Sequence, residues 1–183
     1  PRYDVHGLPE SDPGGHFDAR GQLTWLATMR RMEWSPREKL RRVVLIERGA
    51  SEPPDDERYD YAADGTRVRK VRRRRVAQAT ETVETVYLDG CELRRVVRSS
   101  ERTVRWTAHV EDGGQRIASV YHWELDRLGT ETDDPAAVRT HYLLSDQVGS
   151  VSLELGARRE YLSYEEHFPF GRTAFVAGDA VRE

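Results

Sequence analysis

The run RYDYAADGTRVRKVRRRRV, Arg58 to Val76, sets the reading of the whole chain. Asp64-Gly65 sits between aromatic and β-branched flanks, and glycine accepts the positive φ of a tight reversal, so the run reads as a β-hairpin with a two-residue turn. The pattern returns twice. TETVETVYLDGCELRRVVRS places Asp89-Gly90 between runs rich in Val, Thr, Tyr and Leu, and TVRWTAHVEDGGQRIASVYHWEL turns at Asp112-Gly113-Gly114. Three hairpins in succession predict an antiparallel meander over residues 57–128.

Upstream, residues 1–56 read as a loop-rich start followed by a first hairpin. Gly7, Pro9, Pro13, Gly14, Gly15 and Gly21 leave room only for very short strands. LTWLATMRRMEW (Leu23–Trp34) and LRRVVLIERG (Leu40–Gly49) then read as two strands around Ser35-Pro36-Arg37-Glu38, and GASEPPDDE (Gly49–Glu57) as an acidic loop. Downstream of the acidic linker DRLGTETDDPAAV, residues 139–171 read as further hairpins. In SVSLEL, Val151, Leu153 and Leu155 alternate with Ser150, Ser152 and Glu154, which gives one apolar face. Residues 172–183 read as a loop-like end. The expected architecture is all-β, a single region over 1–183 built as an antiparallel hairpin meander. Isolated hairpins are marginal in water, so the ribbons are expected to pair side by side in a sheet that continues into further chain.

Composition agrees. Of 183 residues, 37% are hydrophobic and 33% charged, which points to thin sheets with a solvated face rather than a thick core or a helical bundle. A net charge of −3 offers no overall attraction to nucleic acid or an anionic membrane. No apolar run approaches the roughly 18 residues of a membrane-spanning helix, so no direct membrane insertion is expected. The single Cys91 excludes an internal disulfide and a multi-cysteine metal site.

Each conspicuous residue has a sharper and a plainer reading, and the plainer one is favoured throughout. KVRRRRV (Lys70–Val76) invites phosphate binding, but alternate cations on a strand face opposite ways and acidic runs lie nearby, so an ion-paired strand is expected. His6, His16, His109, His122, His141 and His167 lack metal-ligand spacing. Cys91 follows a turn with no base assigned to it. The pairs Asp55-Asp56, Asp133-Asp134 and Glu165-Glu166 face opposite ways on a strand and are read as keeping edges and loops soluble. Trp25, Trp34, Trp106 and Trp123 are read as packing groups rather than a sugar-stacking platform. No catalytic, cofactor-binding or metal site is expected.

Three groups of residues resemble a known family, the Rhs/YD-repeat proteins, and within it the C component of bacterial insecticidal toxin complexes. YDVHG, with Tyr3, Asp4 and Gly7, and YDYAADGTRVRKV, with Tyr59, Asp60 and Gly65, are similar to YD repeats. HYLLSDQVGSVSLEL followed by YLSYEEHFPFG is similar to the family's signature near the end of the repeats, through Asp146, Gly149, Ser150, Tyr164, Glu165, Pro169, Phe170 and Gly171. MRRMEWSPREKL and TVYLDGCELR stand in a similar order. Val148 stands where Leu is usual, and His167-Phe168 replace the more frequent pair before Pro169. The motifs associated with self-cleavage fall outside these residues, so no protease residue is carried over. The resemblance implies a non-enzymatic piece of a hollow β-shell, exported in a toxin particle. Such a shell encloses a toxic C-terminal segment of the same polypeptide and is completed by a B-component-like partner. A cell-surface adhesion or glycan-binding module is the alternative.

Overall fold

The computed structural model describes residues 15–26, 31–49, 52–129, 131, 134, 136–146, 150–167 and 173–178. All regular structure among them is β-strand, as expected, and it falls into two compact units: residues 1–87 with 96–100, and residues 88–95 with 101–183.

In the first unit, β1 (Gly15–Phe17) and β2 (Leu23–Leu26) form a short ribbon. β3 (Arg31–Trp34), β4 (Leu40–Ile46), β5 (Asp55–Tyr61), β6 (Arg67–Val76) and β7 (Ala79–Leu88) then pair antiparallel in chain order. The residues of β8 (Cys91–Arg98) are divided between the units. In the second unit β9 (Glu101–Asp112), β10 (Gln115–Asp126), β11 (Val138–Ser145), β12 (Val151–Leu155), β13 (Tyr161–His167) and β14 (Thr173–Gly178) also pair antiparallel in chain order.

Four details depart from the sequence reading. The run Leu23–Trp34 divides into β2 and β3, with residues 27–30 outside the described set. Asp55, Asp56 and Glu57 belong to β5 rather than to the acidic loop, because Arg48, Arg42 and Lys70 on neighbouring segments neutralise them. The Asp64-Gly65 connection occupies residues 62–66 instead of two: the Asp64 carboxylate accepts from the Thr66 amide and hydroxyl at 2.8 and 3.0 Å and draws Thr66 into the loop. Thr173–Gly178 is a strand, not a loop-like end, since its β-branched and aromatic residues extend the ladder from β13.

The 62–66 connection is one copy of a loop used repeatedly. At 18–22, 35–39, 62–66 and 156–160 the first amide donates to the fifth carbonyl and the fourth amide to the first carbonyl. The fourth residue is left-handed each time: Gly21, Glu38, Gly65 and Arg159 have φ of 76, 60, 88 and 64°. A short polar side chain, Asp18, Ser35 or Asp64, closes the first three, and Glu160 accepts the Arg158 amide in the fourth. Asp18 Oδ1 accepts from the amides of Arg20 and Gln22, and Ser35 Oγ from those of Arg37 and Lys39. The reversal at Gly113-Gly114 is tighter, with both glycines left-handed at φ 58 and 81°, as the sequence predicts.

The cores are thin. Among the described residues, Met32, Val43, Val44, Val83 and Val96 are the buried apolar side chains of the first unit, and Leu93, Val104, Ala118 and Trp123 those of the second. Polar burial is comparable, with Asp55, Asp56, Glu81, Thr103, Thr107 and Ser119 all buried. Charge pairing therefore carries a large share of the packing.

Candidate functional site

The YD segment on β5 works as a set of pegs. Tyr59 pairs with Lys70 across the ladder, and its hydroxyl donates to Glu57 Oε2 at 2.6 Å, which also lies 3.0 Å from Lys70 Nζ. Burial pushes the Tyr59 phenol up, and the Glu57 carboxylate adds to the rise. Burial pushes Glu57 up as well, but the bonds from Tyr59 and Lys70 outweigh it and hold the carboxyl below its usual value. Arg67 lies over two rings, 5.7 Å from the Tyr59 centroid and 5.0 Å from that of Tyr87. On the opposite face Asp60 pairs with Arg69 at 3.0 Å, and Arg69 reaches Glu84 at 2.7 Å. Tyr61 donates to the Leu40 carbonyl at 2.9 Å, tying β5 to β4. Gly65 is required for its φ of 88°; a Cβ there would lie 2.9 Å from Lys39 Cε, near the movable end of that side chain.

The arginine run on β6 is distributed over ion pairs. Lys70 reaches Glu57, Arg73 reaches Asp56, Arg74 reaches Glu81 at 2.7 Å and Arg75 reaches Glu52 at 2.6 Å. Asp56 is the hub, its side chain 2% exposed, with Arg42 at 2.7 Å, Arg58 at 3.2 Å and Arg73 at 3.4 Å. Asp55 accepts Arg48 in a two-pronged bond at 3.1 and 2.9 Å and also takes the Arg75 amide at 3.0 Å. Burial raises the Asp55 pKa, yet these donors prevail and the carboxyl is held below its ordinary value. The reading of Asp55-Asp56 as a solubilising pair is thus corrected: both are interior anchors, because opposite charges arrive from β4, β6 and the segment after β4. Asp133 lies outside the described residues.

In the second unit the signature hairpins expose their apolar side. Leu144, Leu153, Tyr164 and Ala177 form one row across β11 to β14, with Tyr142 and Leu155 paired beside it. Tyr142 and Leu144 are 49% and 50% exposed, and Tyr161, Tyr164 and Phe175 are exposed as well. The Tyr164 and Phe175 rings lie 6.4 Å apart, and Tyr164 donates to Glu166 at 2.8 Å. Glu165, adjacent to Tyr164 on β13, faces the other way. Asp146 closes its loop by accepting the Ser150 amide at 2.9 Å. Tyr3, Asp4, Gly7, Gly149, Pro169, Phe170 and Gly171 lie outside the described residues.

The opposite face of the second unit is polar and aromatic. Glu131 accepts Arg94, Arg105 at 3.2 Å and the Trp123 indole at 3.1 Å. Arg105 lies over Tyr121 and Arg139 over Trp123, at 5.1 and 5.4 Å. Burial lowers the Arg105 pKa. The His141 imidazole lies 2.7 Å from Glu154 and holds that carboxyl below its usual value, while Ser163 donates to the other Glu154 oxygen at 3.0 Å. Ser163 thus contacts the carboxylate rather than the imidazole, so the trio lacks the nucleophile–base contact of a hydrolytic triad. His109 lies 3.2 Å from Glu92 and 3.4 Å from Ser119. Trp123 is buried and Trp25, Trp34 and Trp106 are half-buried, and Trp34 donates to the Leu23 carbonyl at 2.8 Å.

Sequence reasoning missed the hubs Asp56, Glu81 and Glu131. A signal for the first two was present, since opposite charges recur at paired positions of β5, β6 and β7. Glu131 had none, because it sits in the linker after β10.

No family model matches the chain. It is 29% identical over 169 residues to the toxin subunit YenC1 of Yersinia entomophaga, covering 91% of this chain and 17% of that one. It is 27% identical over 168 residues to YenC2 of the same organism, again covering 91% and 17%. The chain thus spans about 17% of the length of the curated relatives it matches. Among solved structures it resembles the TcdB2-TccC3 complex with a TM-score of 0.80 and 28% identity, covering 88% of this chain and 8% of that one. A Tc holotoxin pore of Photorhabdus luminescens gives a TM-score of 0.79 at 28% identity, covering 88% and 7%. The resemblance to toxin-complex C components, read above from the YD and signature motifs, is borne out by these similarities, and so is the all-β antiparallel fold.

Proposed function

We infer that this chain is a structural segment of the Rhs/YD shell of an exported toxin complex, and that the shell encloses a toxic C-terminal segment of the same polypeptide. The observation that carries the reading is the apolar row of the second unit, with Tyr142, Leu144 and Tyr164 exposed and Leu153 and Leu155 half-buried, in a chain similar to C components. A sheet face of this kind suits a wall that is covered by chain within the shell. The role is architectural: ladders and repeated loops build the wall, and no chemistry is assigned to it. A B-component-like subunit completes the enclosure in this reading.

Protease protection tests it. In a polypeptide carrying this chain with the segment that follows it, mixed with such a partner subunit, the following segment is expected to resist protease. Charged substitutions on the apolar row, Leu144→Asp with Leu153→Asp, are expected to open it to cleavage. Cleavage of the following segment at the same rate with and without the partner would overturn the proposal.

A further inference from the structure

The ion pairs of the first unit leave an imbalance at one end of the β6–β7 hairpin. Arg48, Arg73, Arg74 and Arg75 surround a cavity of about 140 Å3 there, together with Glu52 and Asp55, and Gln78 and Thr80 also line it. Asp55 is committed to Arg48 and to the Arg75 amide, and Glu52 to the Arg75 guanidinium. Arg73 and Arg74 lean on carboxylates that they share. Asp56 answers Arg42, Arg58 and Arg73, while Glu81 answers Arg74 and Arg98. Asp56 and Glu81 are thus divided among five guanidiniums, of which Arg42 also reaches Glu33 at 3.2 Å. The sharing shows at the atoms: Arg73 Nε is buried and meets Asp56 only as an ion pair at 3.4 Å, without hydrogen-bond geometry.

The turn beside the cavity fixes one of these cations. Arg75 Nε donates to the Ala77 carbonyl at 3.3 Å, and Ala77 holds a left-handed φ of 55°, which costs a non-glycine residue conformational energy. Gln78 and Thr80 add neutral donors on the exposed side.

We propose that this cavity is a binding site for a phosphate-class oxyanion, held by Arg73, Arg74 and Arg75 with Gln78 and Thr80 as neutral donors. Four cations and two carboxylates line it, a surplus that matches the charge of about −1.5 to −2 carried by a phosphate group at neutral pH. The planar guanidinium fork suits an oxyanion. Each lining guanidinium also keeps one carboxylate partner, and Arg69 and Lys70 further along β6 are paired, so the site takes one anionic group rather than a nucleic-acid backbone.

The test is calorimetric titration of the 183-residue chain with inorganic phosphate, and separately with phenyl phosphate, in chloride buffer of matched ionic strength. Saturable one-to-one binding is expected. Binding of phosphate alone assigns the free ion; binding of both assigns a monoester. Arg75→Gln is expected to weaken binding about tenfold, the cost of one charge-assisted bond. Gln78→Glu changes an exposed turn side chain, so it is expected to abolish binding while leaving the melting temperature in chloride unchanged. Absence of saturable binding for both ligands, or equal binding by the chain and a folded Gln78→Glu variant, would overturn the proposal.

Discussion

Along β5 and β6 of the first unit, neighbouring strands meet through charges: Asp56 with Arg73, Glu57 with Lys70, Asp60 with Arg69. Along β11 to β13 of the second unit the rows instead alternate between polar clusters, such as His141, Glu154 and Ser163, and an apolar row open to solvent. Both units use the same antiparallel ladder and the same five-residue loop. The difference shows that the repeat specifies backbone and leaves the faces free to diverge, one unit lining them largely with ion pairs and the other keeping an apolar side.

The largest expected effect breaks the charged side of this comparison. Asp56→Ala leaves Arg42 and Arg73 without their shared carboxylate in a half-buried setting, and is expected to lower stability by about 3–5 kcal/mol. Urea unfolding followed by circular dichroism measures it. A loss below 1 kcal/mol would mean that the hub is solvated and that the first unit rests on its few valines.

Acid sharpens the same contrast. Asp55, Glu57 and Glu81 are each pushed up by burial but held below their ordinary values by cationic and hydrogen-bonding partners. Their stabilisation is therefore present above the unfolded values of 3.8 for Asp and 4.5 for Glu, and is lost as pH falls through the lower folded values. Amide protection in β5 and β6, taken relative to the intrinsic exchange rate at each pH, is expected to fall below about pH 4.5, ahead of β9 and β10. Simultaneous loss of protection would remove the distinction between the units.

This contrast also marks what the sequence disclosed. Strand after strand was legible because Asp64-Gly65, Asp89-Gly90 and Gly113-Gly114 punctuate β-rich runs, and glycine's left-handed freedom is a local property. The loops at 35–39 and 156–160 were less legible as loops of this type, since Glu38 and Arg159 occupy the left-handed position where glycine would have advertised it. The hubs were hidden for another reason. Asp56 reads as a loop residue until register sets it beside Arg42 and Arg73, and register depends on long-range pairing. The exposure of Leu144 was hidden too, because alternation reveals that a face is apolar but not whether anything covers it.

The shared loop gives the next prediction, with opposite signs in the two units. Gly65→Ala puts a side chain at φ 88° and against Lys39, and is expected to cost about 1–2 kcal/mol. Arg159→Gly removes left-handed strain at φ 64° and, after the added freedom of the unfolded chain, is expected to gain about 0.5 kcal/mol. Thermal melts of the two variants measure both changes. The same sign for both would mean that the loops at 62–66 and 156–160 are not energetically equivalent.

The smallest expected effect on stability lies on the open face. Leu144 is 50% exposed, whereas Leu93 in the same unit is 8% exposed. Leu93→Ala is expected to cost about 2–5 kcal/mol as a core truncation, while Leu144→Thr should stay within about 0.5 kcal/mol of the parent. Association should respond in the reverse sense: light scattering against concentration is expected to show less self-association for Leu144→Thr, because a β-branched hydroxyl residue suits the strand but offers less apolar area. If Leu144→Thr were as damaging as Leu93→Ala, the row through Leu153 and Tyr164 would be interior to the isolated chain and would have no need of a cover. Unchanged stability with unchanged association would assign the stickiness to another surface and leave the apolar row without a part in the wall.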